Sequence, residues 1–436
     1  MECRNCGKSA DGAAYFCAVK HSTMTAIHSD IITLDEVAAF RRETAGCAYV
    51  NHLNNAGASL MPDLVTQTIR EHIGLEARIG GYEAAAAKTA EIRLFYERAA
   101  KLLGCGAANM AFTANATDSY TRALSSIPFR AGDVILTDND DYISNQIQFL
   151  SLKKRFGLRV EHLRNAPAGG VDLDDLAEKL DRLRPRLLAI TQIPTNSGLM
   201  QPVEEIGAIY DRYRAERGGD CWYILDACQS AGQVPLEVNK LHCDFLSGTS
   251  RKFLRGPRGA GFLYVSDRAL QEGLEPLFID MRGAKWTGPD SYAPRADASR
   301  FEDWEFAYAL LLGTSEAIDY CLQVGVDRIR LRVASLAARM RDGLAGIDRI
   351  RVLDRGPQLG GLVTFTAAGF SGPEFILDAL SKRKINVVPS YREFAVIDFG
   401  EKNVDWAIRA SPHYFNTEAE ADLLIDAVRE VLGGKR

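Results

Sequence analysis

Between about residues 86 and 265 the chain alternates short apolar runs with stretches of helical periodicity, and this alternation limits its possible folds more than any other feature. The runs cover residues 110–113, 133–137, 187–191, 223–226, 245–247 and 259–265. Over residues 88–103, Ile92, Phe95, Ala99, Leu102 and Leu103 recur at helical spacing, and Gly104 is placed to end that helix. Over residues 173–183, Leu173, Leu176, Leu180 and Leu183 share a face, with Asp172 available as its cap. Apolar strands alternating with amphipathic helices predict an α/β fold, a mostly parallel sheet with helices on both faces.

The pattern changes after about residue 285. A polar stretch containing Pro and Gly (283–299) leads into helices over 308–319 and 326–343. Strands at 362–366 and 385–388 bracket a helix near 373–381, and 406–410 is a further strand. The last helix covers 417–432, with Thr417 and Glu420 spaced as a capping box. A single core stops growing at roughly 250–300 residues, and the chain has 436. The expected division is a tail and leading helix (1–48), a large domain (49–285) and a smaller C-terminal α/β domain (286–436).

Net charge is −5 with no long basic run, which argues against nucleic acid and anionic membrane surfaces as partners. No apolar run reaches the roughly 18–20 residues of a membrane span. The N-terminal segment lacks the apolar core and cleavage site of a secretory signal. Nine scattered cysteines suit a reducing, cytoplasmic setting. Cys3, Cys6, Cys17 and His21 have a spacing compatible with a zinc knuckle. A tail upstream of a start at Met24 is the preferred reading of that segment, and no metal site is expected.

Ligands of open parallel sheets bind beyond the carboxyl ends of the strands, so strand ends are where chemistry is sought. The first such end, Phe112 to Asp118, opens a helix near Ala116. Free N–H groups there, with the Thr117 hydroxyl, suit a phosphate dianion, although an ordinary helix cap has the same appearance. The second is Asp226, a carboxylate closing a buried strand, which needs a cation or donors. A protonated pyridine nitrogen would serve, and Gln229 is placed to reach a phenolic oxygen on the same ring. The third is Lys252, reached through Ser247, Gly248, Thr249, Ser250 and Arg251. Partial desolvation would make its amine competent for a Schiff base. Thr249 and Arg251 could hold phosphate oxygens. Each feature is commonplace alone; their order, with the Lys 26 residues beyond the Asp, is what is specific.

These segments resemble the class V aminotransferase superfamily, which includes cysteine desulfurases, selenocysteine lyase and isopenicillin-N epimerase-like proteins, from about residue 49 to 432. The resemblance implies pyridoxal 5′-phosphate (PLP) as cofactor, a fold-type-I architecture with a seven-stranded sheet, an amino-acid substrate and a homodimer. It makes Lys252 the Schiff-base lysine, Asp226 and Gln229 the pyridine and phenolate contacts, and Ala116 with Thr117 the phosphate turn. Leu53 to Gly57 resembles the motif near the substrate, which points to Asn55 and Ala56. Tyr142 sits where the family stacks an aromatic ring on the cofactor, with a simple core role as the alternative. Pro194 to Gly198 resembles a loop on the phenolic side and leaves Thr195 and Asn196 both open. Arg409 resembles the arginine that grips the substrate carboxylate, with Arg392 as a second candidate. Residues 300–305 resemble a segment crossing from the partner subunit, with Trp304 and Glu305 where desulfurases carry smaller residues. The loop formed by Gly80, Gly81, Tyr82 and Glu83 is expected near the pocket without an assigned role.

Family desulfurases use a cysteine in a loop of the small domain. The corresponding residues 387–404 contain none, nor does anything after Cys321, which counts against persulfide formation. Cys228 reads as a packed small residue. The expected reaction is elimination at a C–S-type bond at Cβ. Transamination and epimerisation are the alternatives within the family, and a binding protein that kept the fold without the reaction is the alternative outside it.

Overall fold

The computed structural model describes residues 31–433 with the exception of Gly219. Cys3, Cys6, Cys17 and His21 lie outside the described residues. The central sheet has seven strands in the order Met110–Thr113, Gly261–Val265, Phe245–Thr249, Trp222–Asp226, Leu187–Thr191, Val134–Thr137 and Arg159–His162. Gly261–Val265 runs antiparallel to both neighbours, and the remaining pairs are parallel. Every residue of the five strands from Gly261–Val265 to Val134–Thr137, and of Met110–Thr113, is buried. That double coverage explains why these strands read as continuous apolar runs.

The Arg159–His162 edge strand was not anticipated. It is partly exposed, pairs on one side only and has the sequence RVEH, so it lacks an apolar run. Local helix signals are realised. Asp172 accepts from the N–H groups of Asp174 and Asp175 at 3.0 and 3.1 Å. Gly104 ends Thr89–Leu103 in the left-handed region at φ 68°.

A second, antiparallel sheet orders Ile350–Val352, Val363–Ala367, Trp406–Ala410 and Val388–Tyr391, and helices Val326–Ala345, Glu374–Lys382 and Glu418–Gly433 pack against its core. The capping box forms: the Glu420 N–H donates to Thr417 Oγ1 at 3.2 Å and the Thr417 N–H to Glu420 Oε2 at 3.0 Å. Two details differ from expectation. The strand expected over 385–388 divides, because Ile385–Asn386 pairs in parallel with Asn51–His52 while Val388–Tyr391 joins the second sheet. The polar stretch after residue 283 folds into the hairpin Ala284–Gly288/Ser291–Pro294. Helix Tyr308–Val324 packs on Asp63–Ile79 and Thr89–Leu103, and its Leu311, Leu312 and Ile318 join the core around the large sheet.

The pairing of Asn51–His52 continues as a bridge between Asn54 and Ser411. The opening segment is thereby stitched to the end of the Trp406–Ala410 strand, beside the carboxyl ends of the large sheet.

Candidate active site

Parallel strands ending on one side place Thr191 and Asp226 in register on adjacent strands, and Asp226 beside Ser247 of the next. Above these ends lies a cavity of about 230 Å³ whose wall contains Ala116, Thr117, Tyr142, Thr195, Asp226, Gln229, Thr249, Arg251 and Lys252. Residues scattered over 137 positions of sequence thus converge because each sits at a strand end or in the turn that follows.

One end of the cavity is built to receive an anion. Helix Ala116–Ser126 begins there, capped by the Asn115 side chain, which accepts from the Asp118 N–H at 3.0 Å. Among the described residues the N–H groups of Ala116 and Thr117 have no acceptor, and they sit at the positive end of the helix dipole. The Thr249 hydroxyl makes only a 3.5 Å contact to the Ala260 carbonyl, so it too can reach a ligand oxygen.

Asp226 is 5 % exposed. Its Oδ1 accepts from the Cys228 N–H at 2.9 Å and its Oδ2 from Asn145 Nδ2 at 3.1 Å. Asn145 is oriented by Asp141, whose Oδ1 accepts from Asn145 Nδ2 at 2.9 Å and from Thr191 Oγ1 at 2.6 Å. Burial raises the Asp141 carboxyl to about 6, against those hydrogen bonds. The Gln229 side chain, fully buried, donates to the Ala56 carbonyl at 3.2 Å and approaches Thr195 Oγ1 at 3.5 Å, while its Oε1 has no partner among the described residues. A buried amide with unspent hydrogen-bonding capacity in a cavity wall marks a place for a polar ligand.

Lys252 is 6 % exposed, and among the described residues no carboxylate forms an ion pair with it. Burial, with the Arg251 charge beside it, lowers its ammonium to about 8, while Cys228 and Asp226 pull the other way. Arg409 is equally buried; it donates from Nη1 to the Thr195 carbonyl at 2.8 Å and from Nη2 to Asn54 Oδ1 at 3.4 Å, and among the described residues its Nε has no partner. Burial, then the charge of Arg251, brings this guanidinium down to about 10. A buried cation without a carboxylate calls for an anion.

Several sequence candidates lie elsewhere. Asn55 is buried against the C-terminal segment, donating to the Ser411 carbonyl at 2.8 Å and accepting from Ser59 Oγ at 2.7 Å. Ala56 serves through its backbone, donating to Ser411 Oγ and accepting from Gln229. Of the two residues left open in the 194–198 loop, Thr195 lines the cavity. Asn196 turns outward, donating to the Phe394 carbonyl at 3.0 Å and accepting from Ser390 Oγ. Arg392 pairs with Asp405 at 2.9 Å. Trp304, Glu305 and residues 80–83 do not contribute to this cavity's wall. Conversely, Cys228, read as a packing residue, faces the cavity, and Asn145 was not singled out at all. Its position was available in principle: Asn145 follows Tyr142 by three residues at the start of helix Ile143–Phe156, so both share the face of the first turn.

Comparison with known proteins agrees with this geometry. The family model described as Aminotransferase class-V matches residues 51–424. A probable cysteine desulfurase from Methanothermobacter thermautotrophicus is 26% identical, over 85% of this chain and 90% of the relative. A probable hercynylcysteine sulfoxide lyase from Mycobacterium tuberculosis is also 26% identical, over 86% and 89%. Among solved structures, the apo cysteine desulfurase of Thermococcus onnurineus NA1 superposes with a TM-score of 0.82 at 24% identity, covering 91% of this chain and 98% of that one. A C-DES variant carrying glycine covalently linked to its PLP cofactor gives 0.79 at 22%, covering 89% and 99%.

The residues present fit that cofactor: unpaired N–H groups for a phosphate, a buried carboxylate for a pyridinium, an amide with unspent capacity for the ring oxygen, and a lysine of lowered basicity for the aldehyde. On the family match and this fit, the chain belongs to the aminotransferase class-V family and is a PLP-dependent enzyme.

Proposed function

We propose that the enzyme is a lyase that breaks the Cβ–S bond of a cysteine-type α-amino acid. The observation that carries this reading is a missing thiol. The turn Arg392–Phe394 offers its Phe394 carbonyl to Asn196, the sequence neighbour of the cavity-lining Thr195, and residues 387–404 contain no cysteine. A persulfide route needs a thiolate to attack the substrate sulfur. Among the described residues the thiol in the cavity wall is that of Cys228, and burial with the adjacent Asp226 charge pushes it well above its usual range, keeping it protonated. The similarity to a probable sulfoxide lyase supports the same reading.

Bound PLP supplies an electron sink conjugated to the substrate Cα. Arg409 would hold the α-carboxylate and so fix which Cα bond faces Lys252. The Lys252 amine, with its lowered basicity, takes the Cα proton. As that electron pair forms the Cα–Cβ double bond, the Cβ–S bond breaks and sulfur leaves with its pair, gaining a proton. Water then replaces nitrogen at Cα. The balance is substrate plus water giving pyruvate, ammonium and the sulfur leaving group: sulfide from cysteine, a thiol from an S-alkylcysteine, a sulfenate from its sulfoxide and a persulfide from cystine. Asp226, steadied by Asn145 and the Cys228 N–H, would hold a proton on the pyridine nitrogen of the bound cofactor.

The test is product analysis with the PLP-loaded protein and L-cysteine, L-cystine, S-methyl-L-cysteine and its sulfoxide. Pyruvate and ammonia should form in equal amounts with the sulfur product, and Lys252→Ala should form none. Alanine accompanied by persulfide would mean desulfuration; keto-acid exchange alone would mean transamination.

A further inference from the structure

Behind Asp226 stands a second carboxylate. Asp141 lies in the turn before helix Ile143–Phe156, and its Oδ1 accepts from the Tyr142 N–H at 2.7 Å, Asn145 Nδ2 at 2.9 Å and Thr191 Oγ1 at 2.6 Å. Its Oδ2 accepts from Thr137 Oγ1 at 3.2 Å and Gln146 Nε2 at 3.1 Å. Thr137 and Thr191 end neighbouring parallel strands, so the sheet itself holds this carboxylate in place. Among the described residues no cation pairs with Asp141 or Asp226, whose hydrogen-bond partners are neutral donors.

Asn145 joins the two. It is 2 % exposed, and its Nδ2 donates both to Asp141 and, at 3.1 Å, to Asp226 Oδ2. An ionised carboxylate only accepts, so both contacts require the NH2 end of the amide. Reversal would set the Asn145 carbonyl oxygen against two anions. Asp141 thereby decides which end of Asn145 meets Asp226. The two carboxylates also act on each other, because the Asp226 charge opposes that of Asp141. Buried carboxylates bridged by one amide call for a cation. A pyridinium against Asp226 would relieve both charges, and a ring without that nitrogen would relieve neither. From this we infer that Asp141 is a positioning residue for the cofactor: through Asn145 it orients Asp226, and so makes the site select a ring with a protonatable nitrogen. The inference rests on Asp226 facing that nitrogen. It holds whichever substrate bond is broken, so it stands apart from the lyase reading.

The experiment is equilibrium dialysis of the cofactor-free protein against PLP and against its 1-deaza analogue, in which C–H replaces the ring nitrogen. Outer partners that orient a ligand contact contribute about tenfold to hundredfold. Wild type should bind PLP at least about tenfold tighter than the analogue, and Asp226→Asn should abolish that preference. Asp141→Ala should weaken PLP by about tenfold while changing the analogue by less than about twofold, and Asp141→Glu should restore part of the preference. The double variant Asp141→Ala with Asn145→Ala should lose no more than either single variant, since the effect of one residue passes through the other. Equal weakening of both ligands by Asp141→Ala would reduce the residue to a structural role and overturn the inference. Additive losses in the double variant would also overturn it, by removing the route through Asn145. A wild type indifferent to the ring nitrogen would defeat it together with the assignment of Asp226. Should Asp141→Ala not fold, Asn145→Ala decides alone: it should lose the preference for PLP, and a retained preference would refute the inference.

Discussion

Lys252 concentrates the site's tension in one side chain. Folding carries its ammonium into a cavity where, among the described residues, no carboxylate forms an ion pair with it, and its basicity drops from 10.5 to about 8. Because the folded value lies below the unfolded one, the folded state disfavours the proton. The resulting destabilisation is complete below pH 8 and is relieved as pH rises from about 8 toward 10.5. A difference of this size corresponds to roughly 3 kcal/mol. Lys252→Met, similar in volume and uncharged, should therefore make the cofactor-free protein more stable at pH 7, with the advantage shrinking by pH 10. Thermal melts at the two pH values check this, and an unchanged difference would contradict it. The same residue was legible in the sequence because an apolar strand followed by small hydroxylated residues and then a lysine is a local pattern. Asp226 and Gln229 were legible for the same reason. Asn145 and the outward turn of Asn196 were not, since their roles depend on Asp226 and on Ser390, 81 and 194 residues away.

At the scale of elements, helix Val396–Lys402 meets the turn after Val134–Thr137 through charged groups that sequence patterns do not reveal. Asp140 is buried there, with Asp398 hydrogen-bonded to it, and Asp398 pairs with Lys402 at 2.6 Å. Glu401 accepts from Asn139 and Asn165 at 3.0 and 3.1 Å at the rim. Burial, and then the Asp398 charge, raise the Asp140 carboxyl well above its usual range. Here the folded value exceeds the unfolded one, so the contribution to stability is full at acid pH and is lost as pH rises from about 4 through the folded value. Asp140→Asn keeps a donor toward Asp398 without a proton to lose. It should match wild type near pH 4 and exceed it by on the order of 1 kcal/mol at pH 8, measured by denaturant melts; a variant weaker at pH 8 would refute this account. The strands that escaped the sequence reading share a cause. Arg159–His162 and the Ala284–Gly288/Ser291–Pro294 hairpin are exposed to water, so no apolar run announces them.

For the whole molecule, alternation of buried strands and amphipathic helices sufficed to foresee a parallel sheet, because burial on both faces writes itself into composition. Surfaces that meet another chain leave a different mark: large apolar side chains in water. Phe278 is 85% exposed, Trp286 77%, Met281 66% and Leu277 65%. Trp286 is in the Ala284–Gly288 hairpin strand, the other three precede it within seven residues of sequence, and Tyr292 on the paired strand is 50% exposed. So many exposed apolar side chains within one short stretch of chain suit a contact surface. We propose that a second copy of this chain covers it, in keeping with the dimer that the family resemblance implied. Sedimentation equilibrium should then give twice the 47.9 kDa chain mass. Introducing charge at the most exposed positions, Phe278→Glu with Trp286→Glu, should yield monomers, because burying two unpaired carboxylates would outweigh the apolar gain of the contact. The hairpin is peripheral to the single-chain cavity, so the variant should keep its fold and melt cooperatively. A wild-type monomer with full turnover at micromolar concentration, or a dimer indifferent to both charges, would place the interface elsewhere or remove it.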